Sequence, residues 1–416
     1  MVPSTSRRRL AVLVAGLAVA LIASPVHAQD TSLKLVPADT AFYSSMLRNK
    51  EQIDAIAKSK AWAKLWNLPL VQQGWKFLES EYNRRDGQLA PLRAFLEDKE
   101  NQELLAMLAD AGSHEIFISG GESWVGFFTL LQHVNNGMQI GPLKAQLAGN
   151  PGGKNESELQ VQAILRVLAK DMNLLKAPDL IIGCKVTEVK RAEAQIKRLE
   201  AIVTALAADV PQAKGRIQRV KINDGNFLTV RLDGALVPWD DIPWKNFEDQ
   251  QGEFAPLITK LKGMTLTFSI GVQHGYLMFG VGSTTDHLAR VGGAGPSLST
   301  LPEFKPLAKY ADRKLTSIGY LSQKFVASLS GRYDLDPLID LAKAALPKSP
   351  IPQEQQKRIL KDLDDLSKEM KTSTEEPGAL VSFAFMTDRG FESFSYDYGK
   401  HPSVDGSKPP IVPKYR

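Results

Sequence analysis

The sequence predicts an α+β protein in which an antiparallel sheet, built from several hairpins, is covered by long amphipathic helices. Three observations support this class. Three pairs of β-prone segments are joined by tight turn sequences, which implies antiparallel pairing. Long segments elsewhere carry apolar residues at i, i+3 and i+4, the spacing of an amphipathic helix. Strands and helices do not alternate regularly, as they would in a parallel sheet.

Residues 1–28 predict a cleaved secretory signal peptide. Three arginines at 7–9 precede the apolar run 10–22, and the small residue Ala28 stands at the expected cleavage point. The apolar run is shorter than the roughly 20 residues of a membrane-spanning helix. Cleavage would leave a mature chain that starts at Gln29 and has no transmembrane segment. We therefore expect a secreted or periplasmic protein.

Charge and cysteine content narrow the classes of function. Loss of the three leader arginines lowers the formal net charge from +5 to +2, so no nucleic-acid partner is expected. Cys184 is the only cysteine, so no disulfide can form within the chain. Its place in the apolar run 180–184 indicates a small buried side chain. The folded body is expected over 29–400.

The first part of the body predicts two strands separated by helices. A strand is predicted over 41–47, after the turn sequence 36–39. Helical periodicity follows, and Pro69 is expected to end or kink one helix because proline lacks an N–H group. A further helix stops near Gly112, and 115–118 has the pattern of a short strand.

The glycine-rich loop 149–155 is the clearest internal break. It suggests two subdomains, 29–150 and 155–400. After the loop, the apolar spacing predicts a helix over 159–175, a strand over 180–186 and a long amphipathic helix over 189–208.

Hairpins dominate the remaining sequence. Three turn sequences mark them, namely Asn-Asp-Gly at 223–225, His-Gly at 274–275 and Asp-Arg-Gly at 388–390. The predicted elements are the hairpin 217–222 with 227–232, the hairpin 266–272 with 276–281, the strand 315–321, helices 338–346 and 353–370, and the hairpin 380–386 with 391–398.

The order of elements raises the hypothesis of a duplicated architecture. The elements near 41–119 come in the order strand, helices, strand, and those near 315–398 in the similar order strand, helices, hairpin, although no residue-level repeat accompanies them.

The tail 401–416 is rich in proline and is expected to be disordered or extended.

No motif in the chain predicts a catalytic, metal or cofactor site. Ser123 follows Gly121, but the next glycine lies one residue too far for a hydrolase nucleophile turn. His114 and Glu115 begin like a zinc-binding helix, yet Ile118 stands where the second histidine is needed. His274 and His287 are interpreted as surface residues. The glycine-rich segments likewise depart from phosphate-binding motifs, so no cofactor is expected.

The segment around Trp239 is the candidate binding site. Trp239, Asp240, Asp241 and Trp244 lie between two prolines, which limit the freedom of the loop. Aromatic faces beside carboxylates are typical of a sugar-binding platform. In the alternative interpretation, the tryptophans fill the core and the acids cap the next turn.

Two short motifs carry a resemblance to a known group of proteins. Residues 36–40 (VPADT) precede a strand, and residues 274–283 (HGYLMFGVGS) form a hairpin arm followed by a helix. In these motifs the chain resembles uncharacterised bacterial secreted proteins of unknown-function families. The resemblance implies an extracytoplasmic compartment and an α+β fold, and it implies no catalytic residue.

The expected function is a non-enzymatic binding or structural role in the cell envelope, with an unidentified envelope component or a protein as partner. Two alternatives stay open. A hydrolase acting on an envelope polysaccharide would require Asp240 or Asp241 to meet another acid or a histidine in a pocket. A lipid carrier would require an apolar cavity.

Overall fold

The computed structural model describes residues 31–400 with the exception of 85, 148, 150–152, 211–214, 330–335 and 374–376. The predicted signal peptide and the proline-rich tail 401–416 lie outside the described residues.

The described residues contain ten strands, which form one antiparallel sheet. This confirms the predicted α+β class. The strands are β1 (Phe42–Met46), β2 (Ile116–Gly120), β3 (Leu180–Lys185), β4 (Ile217–Ile222), β5 (Gly225–Asp233), β6 (Thr265–Gln273), β7 (Tyr276–Gly282), β8 (Lys314–Leu321), β9 (Leu380–Thr387) and β10 (Gly390–Asp397).

The strand order across the sheet is β10-β9-β8-β1-β2-β3-β7-β6-β5-β4. β1 pairs with β2 on one side and with β8 on the other, so Tyr43 lies opposite both Ser119 and Tyr320. β1 and β2 are neighbours joined through helices, and so are β8 and β9. The same strand–helix–strand topology therefore occurs twice, side by side.

The helices account for most of the segments between strands. Pro69 occupies the first turn of a helix, where its missing N–H is tolerated, and so it separates two helices as predicted. The α-helices are α1 (Asn49–Ala57), α2 (Lys60–Trp66), α3 (Pro69–Asn83), α4 (Ala90–Glu97), α5 (Lys99–Ser113), α6 (Ser123–Leu147), α7 (Glu156–Lys170), α8 (Val189–Ala207), α9 (Ala255–Lys262), α10 (Asp286–Ala289), α11 (Gln323–Leu329), α12 (Asp336–Ala345) and α13 (Gln353–Ser373).

Local sequence determines the tight turns. His274 and Gly275 both have positive φ, 52° and 76°, as a two-residue hairpin turn of the right twist requires. Asn223 has a φ of 51° in the turn between β4 and β5.

The helix predicted over 159–175 is shorter than expected, because the backbone of Asp171 leaves helical geometry and turns follow it.

One face of the sheet holds the larger core. Phe117, Met278 and Ile318 at its centre are at most 1% exposed. They belong to a cluster that includes Leu33 from the N-terminal segment and Leu298 from the segment after β7. This face is therefore covered by short irregular segments rather than by long helices.

The opposite face is covered in part by helices. Met107 of α5 and Ile196 of α8 pack with Leu228 and Val272 in a second cluster, and Cys184 lies half-buried against it. Burial raises the pKa of the Cys184 thiol. Cys184 was interpreted as a small buried side chain, and the structure shows it packed against the core but only half-buried.

A buried carboxylate attaches the N-terminal segment to the sheet. Glu115 is 3% exposed and accepts hydrogen bonds from the Ser32 hydroxyl (2.6 Å), the Ser45 hydroxyl (2.7 Å) and the Tyr276 hydroxyl (2.6 Å). The main-chain N–H of Ser32 also donates to it, at 3.1 Å. Burial and the charge of Glu115 raise the pKa of Tyr43, whose hydroxyl lies 2.8 Å from that of Ser32. We call this group of residues the Glu115 cluster.

The sheet is continuous across the loop that sequence suggested as a subdomain boundary. β2 and β3, which lie on either side of that loop in the chain, are neighbours in the sheet. Lys154 at the end of the loop contacts Asp249 at 2.5 Å, and Arg166 contacts Asp249 and Glu253. These cations hold the pKa of the Asp249 carboxyl well below its usual range.

Candidate functional site

Helices α1–α4, residues 49–97, form a region that we call the helical arm. In its described part Asn49 is the one buried residue, and no apolar side chain is buried. The arm joins the rest of the protein mainly through contacts of α1 and α4 with α5. Gln52 adds hydrogen bonds to the carbonyl groups of Leu47 and Thr316.

The arm exposes many large apolar side chains. Leu70 is 80% exposed and Phe77 is 65% exposed. Single exposed apolar residues are ordinary, whereas a concentration of them in one region marks an interaction surface. The exposed apolar residues of the arm are Ile53, Ile56, Trp62, Leu65, Trp66, Leu68, Leu70, Trp75, Phe77, Leu78, Leu92 and Phe95.

Three tryptophans lie next to one another on this surface. The rings of Trp62 and Trp66 stack with centroids 6.5 Å apart, and Trp66 contacts Trp75 at 5.4 Å. Trp62 and Trp66 meet because residues four apart lie on one side of a helix. The Ser59 hydroxyl accepts a hydrogen bond from the N–H of Trp62 and so fixes the start of α2.

The lysines of α2 lie opposite its tryptophans. At 100° per residue, Lys60 and Lys64 occupy the side of the helix away from Trp62 and Trp66. Four lysines, and no acidic residue, occur between Asp54 and Glu79. They are Lys58, Lys60, Lys64 and Lys76, all of them exposed.

The sequence-predicted candidate site forms a surface loop. Trp239 and Trp244 are half-buried, outside both core clusters, and their rings stack at 6.2 Å with an interplanar angle of 13°. The Trp239 ring N–H donates to the carbonyl of Gly234, and that of Trp244 donates to the carbonyl of Trp239. The tryptophans therefore support each other rather than the core.

The two acids of this loop are exposed. Asp240 and Asp241 line an open cavity of about 390 Å³ together with Trp239 and Lys262, whereas Trp244 is not part of the lining. The lining contains no histidine and no acid other than these two. The geometry that the hydrolase alternative requires is therefore not found in this cavity.

Ser123, the serine of the incomplete hydrolase motif, lies at the start of α6. Its hydroxyl donates to the Asp179 carboxylate, and the N–H of Asp179 donates to the Ser123 oxygen at 3.0 Å. The serine is thus bonded directly to an acid, without the intervening histidine of a hydrolase triad. This arrangement fastens α6 to the segment before β3.

Of the two histidines interpreted as surface residues, His274 is exposed as expected, whereas His287 is half-buried. His274 lies 3.2 Å from the carbonyl of Val291. His287 packs against Gly282, where a Cβ atom would lie 2.8 Å from the imidazole. Burial lowers the pKa of His287, and its Nε2 atom has no hydrogen-bond partner.

Sequence reasoning identified the helices of the arm but missed the arm as a surface. The signal that was available is the segment 55–78, which combines four lysines and three tryptophans with no acidic residue.

Within the part of the chain that the structure describes, no cluster of three or more metal-ligating side chains occurs. None of the described helices is long and apolar enough to cross a bilayer.

Comparison with family models, with curated proteins and with solved structures finds no match. The resemblance to secreted families of unknown function therefore stays a prediction, and the surfaces of this chain are interpreted from their own geometry.

Proposed function

We propose that this protein is an exported, non-enzymatic component of the cell envelope that binds the surface of an anionic phospholipid membrane through the helical arm. The observation that carries the proposal is the arm itself, in whose described part no apolar side chain is buried while three tryptophans and a set of lysines are exposed. Export rests on the predicted signal peptide.

The composition of the arm favours a membrane surface over a flat protein interface. Helices that lie in the plane of a bilayer combine tryptophan, phenylalanine and leucine on one side with lysine on the other. Helix α2 has this division, with Leu65 and Trp66 opposite Lys60 and Lys64. Tryptophan rings are also enriched at the depth of the lipid headgroups.

The expected binding energy is sufficient for reversible attachment. A lysine near an anionic membrane surface contributes about 1 kcal/mol. Burial of a large apolar side chain contributes about 1.5–3 kcal/mol. Four lysines and three exposed rings together contribute roughly 8–13 kcal/mol, which exceeds the lower and middle part of the roughly 4–15 kcal/mol estimated for the entropy of association.

Sedimentation with lipid vesicles tests the membrane part of the proposal. The full mature chain is expected to bind vesicles that contain phosphatidylglycerol and to bind pure phosphatidylcholine vesicles much more weakly, with an affinity that falls as salt is added. No binding to anionic vesicles, or equal binding to both kinds, contradicts the proposal.

Matched lysine variants locate the binding surface. Replacing Lys60 and Lys64 by glutamine removes about 2 kcal/mol and weakens binding about 30-fold. The control replaces Lys190 and Lys197, two exposed lysines of α8, by glutamine and is expected to bind like the unaltered protein. Equal loss in both pairs would show that only net charge matters and that the arm is not the site.

A tryptophan variant tests the apolar side of the same surface. Trp62→Ala is expected to weaken vesicle binding about tenfold or more while leaving stability nearly unchanged, because Trp62 is exposed. Leu206→Ala, at an exposed apolar position of α8, is the control outside the arm.

N-terminal sequencing of the protein from a periplasmic or secreted fraction tests the export part. A mature chain that begins at Gln29 supports it, whereas a chain that keeps residues 1–28 and stays in the cytoplasm contradicts it.

A further inference from the structure

A second cavity lies at the end of the sheet where β1 begins and β8 ends. Its volume is about 570 Å³, within the usual range of about 300–1,000 Å³ for small-molecule sites. The loops before β1 and before β9, the first turns of α6 and α11, and the helical segment 302–310 all contribute to its lining. The ionisable side chains of the lining are those of Asp39, Glu122, Glu303, Tyr320, Lys324, Tyr398 and Lys400.

Two of the three carboxylates in this cavity already have a cationic partner. Asp39 accepts two contacts from Arg290, at 2.5 and 2.7 Å. Glu122 forms an ion pair with the ammonium group of Lys324. Neither carboxylate is therefore an uncompensated charge.

The third carboxylate differs from these two. The Oε2 atom of Glu303 is buried and has no hydrogen-bond partner, and no cation of the described residues forms an ion pair with Glu303. A buried charged oxygen without a donor is unfavourable by more than the 1–3 kcal/mol typical of a neutral group. Such a group in a folded protein requires an explanation, and a cation bound in the cavity, toward which the half-buried Glu303 side chain turns, is one.

Two tyrosines lie beside this carboxylate. Tyr320 is 6% exposed, and burial and the charge of Glu303 raise its pKa to about 12. Its hydroxyl has no hydrogen-bond partner among the described residues. Tyr398 donates its hydroxyl to the Glu303 carbonyl at 2.8 Å, and its pKa is raised by the same two causes. Both phenols therefore stay neutral at physiological pH.

We infer that this cavity binds a ligand through a primary ammonium group, with the Glu303 carboxylate as the counter-ion and the Tyr320 hydroxyl as a second acceptor. An ammonium group has three donors and no acceptor, so it suits a carboxylate and a phenol oxygen together. Lys324 and Lys400 also line the cavity, but Lys324 is paired with Glu122 and Lys400 has a contact of its own, so an anionic group would meet the charge of Glu303 instead. The inference is independent of the membrane function proposed for the arm.

Calorimetric titration with a small diamine tests the inference. 1,5-Diaminopentane is expected to bind the mature protein, and 1,5-pentanediol, which has the same length and no ammonium group, is not. Equal binding of the two, or no binding of the diamine at millimolar concentration, would overturn the inference and leave ordered water as the occupant of the cavity.

A pair of carboxylate variants locates the counter-ion. Glu303→Gln keeps the shape of the side chain and is expected to weaken diamine binding about 10- to 100-fold, the range of a hydrogen bond to a charged group. Glu122→Gln changes a carboxylate of the same cavity that already has a partner, and it is expected to bind within about threefold of the unaltered protein. Equal losses in the two variants would assign the effect to net charge and contradict the role of Glu303.

The ammonium group could belong to a soluble amine or to a phosphatidylethanolamine headgroup. Vesicles of phosphatidylethanolamine mixed with phosphatidylcholine, compared with phosphatidylcholine alone, distinguish the two. Stronger binding to the mixed vesicles that is lost in Glu303→Gln identifies a headgroup. Binding of the diamine without this preference identifies a soluble ligand.

Discussion

The central strands and the helical arm carry the same kinds of apolar side chain but bury them to opposite extents. Phe117 in β2 and Phe383 in β9 are at most 1% exposed, whereas Phe77 in α3 is 65% exposed. The strands obtain their burial from three sources, namely neighbouring strands, the N-terminal segment and the segments after β7. The arm packs mainly on its own helices and on α5.

This difference separates stability from binding within one chain. Apolar burial is the main favourable term in folding, so the sheet contributes most of the stability. Isolated helices as short as those of the arm are marginal in water unless an apolar side is covered. The free apolar surface of the arm is therefore available to stabilise a complex instead.

A matched pair of phenylalanine variants gives the largest expected effect. Phe117→Ala removes a fully buried ring and is expected to lower the free energy of unfolding by about 3–5 kcal/mol, measured by urea denaturation. Phe77→Ala removes an exposed ring and is expected to change it by less than about 0.5 kcal/mol.

Vesicle binding should respond to the same two variants in the opposite order. Phe77→Ala weakens it, and Phe117→Ala leaves the affinity of the remaining folded protein unchanged. A large loss of stability in Phe77→Ala would mean that the arm is packed in solution, and the contrast between the two regions would fail.

The Glu115 cluster gives an intermediate effect. Glu115→Ala removes the buried acceptor that the Ser32, Ser45 and Tyr276 hydroxyls share, so we expect a loss of at least about 2 kcal/mol in the free energy of unfolding. Glu193→Ala, at an exposed position of α8, is the control and is expected to change stability by less than about 0.5 kcal/mol. Equal values for the two variants would show that the cluster does not stabilise the sheet.

The smallest effect concerns the dependence of stability on pH. Burial lowers the pKa of His287 below its ordinary value of 6.5, although Asp179 and Asp286 act in the opposite direction. The unfolded chain therefore binds the proton more readily, and stability falls as the pH decreases from about 7 through 6.5 and on to the lower pKa of the folded state.

The variant His287→Gln removes this titration and should lose less stability over the same pH range. Urea denaturation of both proteins at about pH 7.5 and about pH 5.5 measures the difference. Parallel losses in the two proteins would assign the acid sensitivity to other groups.

The parts of the fold that sequence predicted are those that local chemistry determines. The turn at His274 and Gly275 needs two positive φ angles, and the separation of α2 from α3 follows from Pro69. The pairing of β1 with β8 joins segments that are distant in sequence, and no local pattern specifies it.

The sites were less predictable because each depends on distant residues or on exposure. Helical periodicity predicted a helix before Pro69, but periodicity does not state what covers the apolar side of a helix. Glu115 was noticed only within an incomplete zinc motif, since its partners Ser32 and Tyr276 come from other parts of the chain. The four residues of the Trp239 loop were predicted as a binding site, and that remains a prediction.

The pairing of β1 with β8 also has a consequence for the order in which the chain folds. β1 is one of the first strands to be synthesised, but its second neighbour follows only after most of the described chain. Contacts of such long sequence separation form late. Until β8 arrives, β1 presents an unpaired edge to its surroundings, and unpaired edges are where chains associate wrongly. A chain that emerges N-terminus first would therefore benefit most from a chaperone between the completion of β2 and the arrival of β8.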